Sequence, residues 1–244
     1  MNIFDEFYYN ELTDESFKEL VNFAKWMNKF FSHYPLIVGG WAAWCYHKSI
    51  GSRDIDVIFL SPEIRDKTLN HYFFYNGYKK ENKFGLTTSF VKTIKTSKKE
   101  ENIIIDAATK KDKPVYGRGI RVNYETTFKN VKKIKIDKNA FIYIPIPELL
   151  LAYKIGAVLG RTKTLETTLE QEYFESKIQK DILDIIGIIQ NTKLSTDKIK
   201  KFIKEIKATK YLKIFFEELE KRQQILQQQK ITLTEIKNLL TKTT

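Results

Sequence analysis

Two aspartates one residue apart, Asp54 and Asp56, are the side chains best spaced for chemistry. On a β-strand, the period of two sends both carboxylates to one face and Ile55 to the other, toward a core. Paired carboxylates repel each other unless a cation lies between them, and hard Mg²⁺ (or Mn²⁺) prefers carboxylate and phosphate oxygens. Two such ions can activate an attacking hydroxyl and stabilise a pyrophosphate leaving group. Upstream, Gly39-Gly40 leaves bare backbone at a turn into a helix, where N–H groups and the helix dipole can hold a triphosphate. Two-metal phosphoryl chemistry also calls for a third carboxylate from a neighbouring strand. Asp106 is the first candidate, because it ends the apolar run Asn102-Ile103-Ile104-Ile105; Asp112, in a lysine-rich loop, is the fallback. An Asp-x-Asp alone is common and mostly structural. The order of glycine turn, helix-sized spacer, acidic strand and later Asp106 is what suits a single site.

The elements that must position these residues are legible from periodicity. Phe17, Leu20, Val21, Ala24, Met27 and Phe31 recur at helical spacing, which predicts a helix capped near Thr13 and Asp14 and ending near Ser32. Leu36-Ile37-Val38 predicts a buried strand, followed by the glycine turn and a helix from about Trp41; Arg53 to Leu60 predicts a central strand, and Ser61-Pro62-Glu63 a helix start. Further strands are expected over 84–94, 102–107, 115–122 and 140–144, with a lysine-rich edge strand over 129–138. From Pro147 onward only helices fit, over 147–160, 171–190, 196–207, 211–229 and 233–242. The fold class is therefore α+β, a mixed β-sheet with flanking helices followed by a C-terminal helical bundle. A boundary near residue 146 separates domains 1–146 and 147–244.

Composition narrows the class of partner. The 244 residues carry a formal charge of +12, and 17 Lys/Arg against 7 Asp/Glu fall between Lys79 and Lys138. Such a surplus suits nucleotides or nucleic acid, although lysines that merely solvate a surface give the same count. Lys79, Lys80, Lys83, Phe84, Lys92, Lys95, Tyr116, Arg118 and Arg121 interleave bases with aromatics, either along a polynucleotide path or as ordinary sheet faces. The lone Cys45 forms no intrachain disulfide, and His33, His47 and His71 lack zinc-site spacing. The N-terminus lacks the order of a signal peptide, and the apolar stretch 141–159 is broken by Pro145, Pro147, Glu148 and Lys154. A soluble cytoplasmic protein is expected. Trp41, Trp44 and Tyr46 suit packing, and the glutamine-rich 223–229 a solvated surface. Lys154, in an otherwise apolar helix, must reach water or an anion: either a triphosphate or an aspartate satisfies it. Lys180 and Asp184 are spaced for an ordinary i,i+4 ion pair.

The segment IVGGWAAWCYHKSIGSRDIDVIFL resembles the signature of the polymerase-β-like nucleotidyltransferase superfamily, with 13 residues (41–53) between the glycines and the acidic pair. The resemblance implies a nucleotidyltransferase fold, NTP and Mg²⁺ (or Mn²⁺) binding, and phosphate contacts from Gly39, Gly40 and Ser52. It also implies that Asp54, Asp56 and Asp106 are metal ligands, with Asp106 a candidate base. Ile50 stands where one version of the motif has Arg, and Ser52 where it has Thr. Over the helical half, PIPELLLAYKIGAVLGRT and KIQKDILDII are similar to AbiEii-type nucleotidyltransferases, toxins of type IV toxin–antitoxin systems. That similarity implies a nucleotide-side role for Lys154, Lys180, Asp181 and Asp184, an RNA or tRNA acceptor, and a cognate antitoxin; Lys177 replaces an expected Asp. Three further functions stand beside it: a small-molecule, antibiotic-type nucleotidyltransferase; a non-catalytic module for nucleic acid or a partner protein; and a structural partner of a toxin.

Overall fold

The computed structural model describes residue 8 and residues 11–31, 33–81 and 88–241. These divide into two compact units, residues 1–113 with 123–146, and residues 114–122 with 147–244. In chain order the elements are α1 (Glu11–Phe30), β1 (Leu36–Val38), α2 (Gly39–His47), β2 (Asp54–Phe59), α3 (Pro62–Thr68) leading into a π-helical turn (Leu69–Phe73), β3 (Lys79–Glu81), β4 (Thr88–Lys95) and β5 (Glu100–Thr109). A short ribbon, β6 (Val115–Tyr116) and β7 (Ile120–Arg121), precedes α4 (Tyr124–Lys129) and the hairpin β8 (Val131–Asp137) and β9 (Ala140–Pro145).

The first unit is built on a seven-stranded mixed sheet in the order β3-β4-β5-β2-β1-β9-β8. The pairs β2–β5 and β1–β9 are parallel and the others antiparallel. Alternation fixes the faces. Ile103, Ile105 and Ala107 of β5 and Ile55 of β2 are completely buried, while the residues between them are half-buried. β8 is an edge strand, and its exposed Lys132, Lys133 and Lys135 discourage pairing with another chain. Helix α1 buries Leu20, Phe23, Ala24 and Met27. Phe23 stacks on Phe73 at 5.6 Å and Phe73 on Phe90 at 4.7 Å, joining helix, π turn and β4 in one aromatic core. The Asn28 side chain, donating to the Phe141 carbonyl at 3.0 Å and accepting its N–H at 2.8 Å, pins α1 to the start of β9.

The second unit contains α5 (Pro147–Leu165), α6 (Gln171–Asn191), α7 (Thr196–Glu205), a 3-10 turn (Thr209–Tyr211), α8 (Leu212–Glu220), α9 (Gln223–Gln228) and α10 (Leu233–Thr241). Every residue of α5 from Glu148 to Gly160 is buried, which marks a central helix with neighbours all round. No helix among the described residues is long and apolar enough to cross a membrane.

Several elements differ from expectation for identifiable reasons. α1 is already formed at Glu11, so Thr13 is not its cap; its hydroxyl donates to the Tyr8 carbonyl at 3.2 Å. Ser32, the first residues of the expected strand 84–94, and Lys242 lie outside the described residues. Residues 115–122 form a two-stranded ribbon around a 3-10 turn, not one strand. They also belong to the second unit. A Cβ on Gly160 would lie 2.9 Å from the Tyr116 Cβ, so only glycine admits so close an approach, and the Arg121 N–H donates to the Ile206 carbonyl at 3.1 Å. The expected helix 211–229 breaks at Lys221–Arg222, where Arg222 turns back onto the Glu218 carboxylate at 2.6 Å. Phe90→Ala is expected to cost about 3–5 kcal/mol of stability, because it removes the completely buried ring that β4 contributes to the aromatic stack. The check is a lowered midpoint in denaturant titration at an unchanged slope.

Candidate active site

Strand register assembles the acidic residues. β1 ends with Val38 opposite Asp56, and β2 runs parallel to β5 with Asp56 abreast of Asp106 and Asp54 abreast of Ile104. Residues abreast on neighbouring strands share a face, and so do residues two apart on one strand. Asp54, Asp56 and Asp106 therefore lie on one face of the central strands, all half-buried, with Ile55 and Ile105 fully buried behind them.

The glycine turn lies directly on these acids. Gly39 has φ of +68°, and a Cβ there would fall 2.0 Å from Asp56 Oδ2. Both the backbone angle and the space require glycine. A Cβ on Gly40 would lie 2.6 Å from Ser52 Oγ, which sets the buried Ser52 against the same turn. Helix α2 begins here on Val38, an N-cap residue that supplies no side-chain hydrogen bond, and its first turn holds no acid. The N–H groups at such an end suit an anion. Gly39, Gly40, Ser52, Asp54, Asp56 and Asp106 are thus brought together in the first unit.

One contributor was not foreseen. Ser89 of β4 is completely buried opposite Asp106, and its hydroxyl donates to Asp106 Oδ1. No local pattern marks Ser89, because its role depends on the β4–β5 register. The fallback Asp112 is otherwise occupied: its Oδ2 accepts the Thr109 N–H at 2.7 Å and closes the turn after β5. At the other side, Arg53 reaches Glu101 at 3.1 Å, tying the start of β2 to β5.

The donor set is all oxygen, three carboxylates with two hydroxyls beside them, which fits a hard divalent cation better than zinc. Among the described residues no three His, Cys, Asp or Glu side chains stand together as a finished metal cluster. The three carboxylates share a face without closing into such a cluster. The remaining reactive side chains do not join them. The His47 ring lies 2.7 Å from Ser49 Oγ, His33 and His71 are exposed, and burial pushes the Cys45 thiol up to about 11.

No family model matches this sequence, and no curated protein matches it. Among solved structures, it is similar to that of the antibiotic-resistance factor ANT(2'')-Ia in solution, at 12% identity and a TM-score of 0.47, covering 85% of this chain and 99% of that one. The functional assignment therefore stands on the geometry of the chain's own residues.

The second set of candidate residues converges in the second unit. Lys154 of α5 lies 2.8 Å from Asp181 Oδ1 and 2.6 Å from Asp184 Oδ2, both on α6. Lys180 pairs with Asp184, and Arg161 with Asp181. Asp184 is completely buried and the other members of the helix-to-helix cluster nearly so, except Arg161 at its rim. The aspartates of α6 supply the anions that buried Lys154 requires. Burial pushes the Lys180 ammonium down to about 8, opposed by the adjacent Asp184.

The basic–aromatic series is divided between the two units. Lys79, Lys80 and Lys95 are exposed in the first unit, and Lys92 is held by Glu19 at 2.7 Å. Tyr116, Arg118 and Arg121 belong to the second unit, where Arg118 pairs with Glu166 at 3.0 Å; Lys83 and Phe84 lie outside the described residues.

Two substitutions separate these clusters. Gly39→Ala is expected to destabilise the protein by more than about 1–2 kcal/mol, the cost of the left-handed backbone alone, since the new methyl also meets Asp56. Thermal denaturation reads this. Asp184→Asn leaves Lys154 and Lys180 buried with less compensation and is expected to cost about 3–5 kcal/mol in urea unfolding, whereas a surface pair would cost under about 1 kcal/mol.

Proposed function

We propose that this protein is a divalent-metal-dependent nucleotidyltransferase that moves NMP from an NTP to an acceptor hydroxyl. The observation that carries this function is the β2–β5 register, with three aspartates on one face against a glycine turn at a helix N-terminus. In this scheme the N–H groups at Gly39 and Gly40 and the Ser52 hydroxyl hold the phosphates. Asp54, Asp56 and Asp106 hold the cations, and Asp106, oriented by Ser89, takes the proton of the acceptor hydroxyl. The acceptor oxygen bonds to the α-phosphorus as the bond to pyrophosphate breaks. Mg²⁺ or Mn²⁺, when bound, supplies the positive charge that this transfer requires.

The acceptor we assign is RNA, with a tRNA 3′ end as the first candidate. The basic surplus over 79–138 supports an anionic acceptor over a cationic drug. The toxin role, a cognate antitoxin and nucleotide-side duties for Lys154, Lys180, Asp181 and Asp184 rest on the AbiEii-type resemblance alone. The charges of those four residues answer one another.

Incubation with each labelled NTP, Mg²⁺ or Mn²⁺, and total tRNA is the test. Label is expected on tRNA, with Asp54→Asn lowering the rate on the order of 10³-fold at an unchanged melting temperature. Absence of both transfer to any acceptor and metal-dependent NTP binding would overturn the assignment.

A further inference from the structure

A second candidate site lies in the first unit, at the other end of the β1–β2 pair from Gly39 and Asp54. Because these strands are antiparallel, Leu36 stands opposite Ile58 there, two residues from the Val38–Asp56 pair. An apolar cavity of about 370 Å³ opens at that end, walled by Tyr34, Leu36, Ile58, Leu60, Phe128 and Tyr143. Tyr34 is also a wall of an adjoining open hollow of about 640 Å³, lined by Lys25, Lys29, Lys138 and Phe141. Lys133 lies 3.9 Å from the centre of the Tyr34 ring and 4.6 Å from that of Phe141, and donates to the Tyr34 hydroxyl at 2.6 Å. Lys110 stands 5.8 Å from the ring of Phe128, another wall residue. Asp137, paired with Lys25 at 2.6 Å, offsets only part of this charge.

An apolar slot with cations beside it suits a ligand that alternates flat apolar units with anions. We propose that this is a binding site for single-stranded RNA, with a base in the slot beside Tyr34 and flanking phosphates on Lys29, Lys133 and Lys138. Single strands fit because their bases can be splayed out to stack on aromatic rings, whereas a duplex hides them. An acidic polypeptide would use the lysines and leave the slot idle. The choice of RNA over DNA rests on the acceptor assigned above; the slot and its lysines do not depend on it.

The test is fluorescence anisotropy of a labelled single-stranded RNA oligonucleotide on the full chain without NTP or metal, over a range of salt. Lys29→Glu with Lys138→Glu is expected to weaken binding about tenfold or more and to flatten the log–log salt slope by about 0.7 for each phosphate left unneutralised. Melting temperatures verify folding. On the unaltered protein, an oligonucleotide with abasic positions is expected to bind several-fold more weakly. Equal binding of the abasic strand, of polyglutamate or of anionic phospholipid vesicles would overturn the proposal, as would a double variant that binds like the parent. A DNA oligonucleotide binding as well as RNA would overturn the choice of RNA. RNA binding with neither nucleotide transfer to any acceptor nor metal-dependent NTP binding would keep this site and remove the enzymatic function; unchanged KM for tRNA in the double variant would do the reverse.

Discussion

The parallel pairing of β2 with β5 is the constraint on which the first unit depends, because it forces acidic side chains into proximity at the centre of a sheet. Asp56 and Asp106 are abreast, and Asp54 is one step along the same face. Like charges at that spacing oppose the fold that creates them. A slip of one residue would turn the acids into the core and bring Ile55 and Ile105 out, so hydrophobic burial behind the sheet enforces what electrostatics resists. The accommodation is made with small groups. The Ser89 hydroxyl turns toward Asp106, and the absence of a side chain at Gly39 leaves room for the Asp56 carboxylate.

The second unit meets a related problem with the opposite means. Asp181 and Asp184 are buried more deeply than the acids of the sheet, and their compensation comes from cations inside the fold, Lys154, Lys180 and Arg161. Two adjacent helices are thereby joined by charge as well as by apolar contact. Such a cluster adds little net stability over an apolar core of the same volume, but it penalises any packing of α5 on α6 that separates the partners. It fixes how the helices meet, whereas the acidic face of the sheet is fit for a charged ligand.

Features fixed within a single element could be read directly from sequence. The alternation in β2 and β5, the Gly-Gly turn and the continuous apolar surface of α5 each carry their own periodicity, and Asp106 was reachable because it ends an apolar run. What escaped depends on partners distant in sequence. Ser89 acquires its role only from the β4–β5 pairing. Residues 114–122 look like one more strand, yet Gly160 draws them to the helical unit through a close approach that no local pattern announces. The break in 211–229 has a similar origin, since helix propensity runs through Lys221 and Arg222 while the buried Glu218 draws Arg222 back. The lysine in α5 left its partner open for the same reason: burial demanded an anion, but only the packing of α6 named it.

The basic edge of the sheet shows how far the ordinary explanation of a lysine-rich strand extends. Lysines on β8 are sufficiently explained by the need to keep an edge from pairing with another chain. That need is met by charge alone and places no demand on what lies behind it. It does not call for Lys133 to lie against two aromatic rings, nor for one of those rings to divide an apolar cavity from a hollow lined with further lysines. An ammonium held over an aromatic face gives up some of its freedom and hydration. The contact returns some attraction, about 0.5–1 kcal/mol at an exposed site, but keeping an edge soluble does not require it, whereas presenting fixed charge beside a stacking face does. Lys133 is therefore the lysine of β8 whose placement goes beyond what an edge requires, and that placement rests on its neighbours in space rather than on composition.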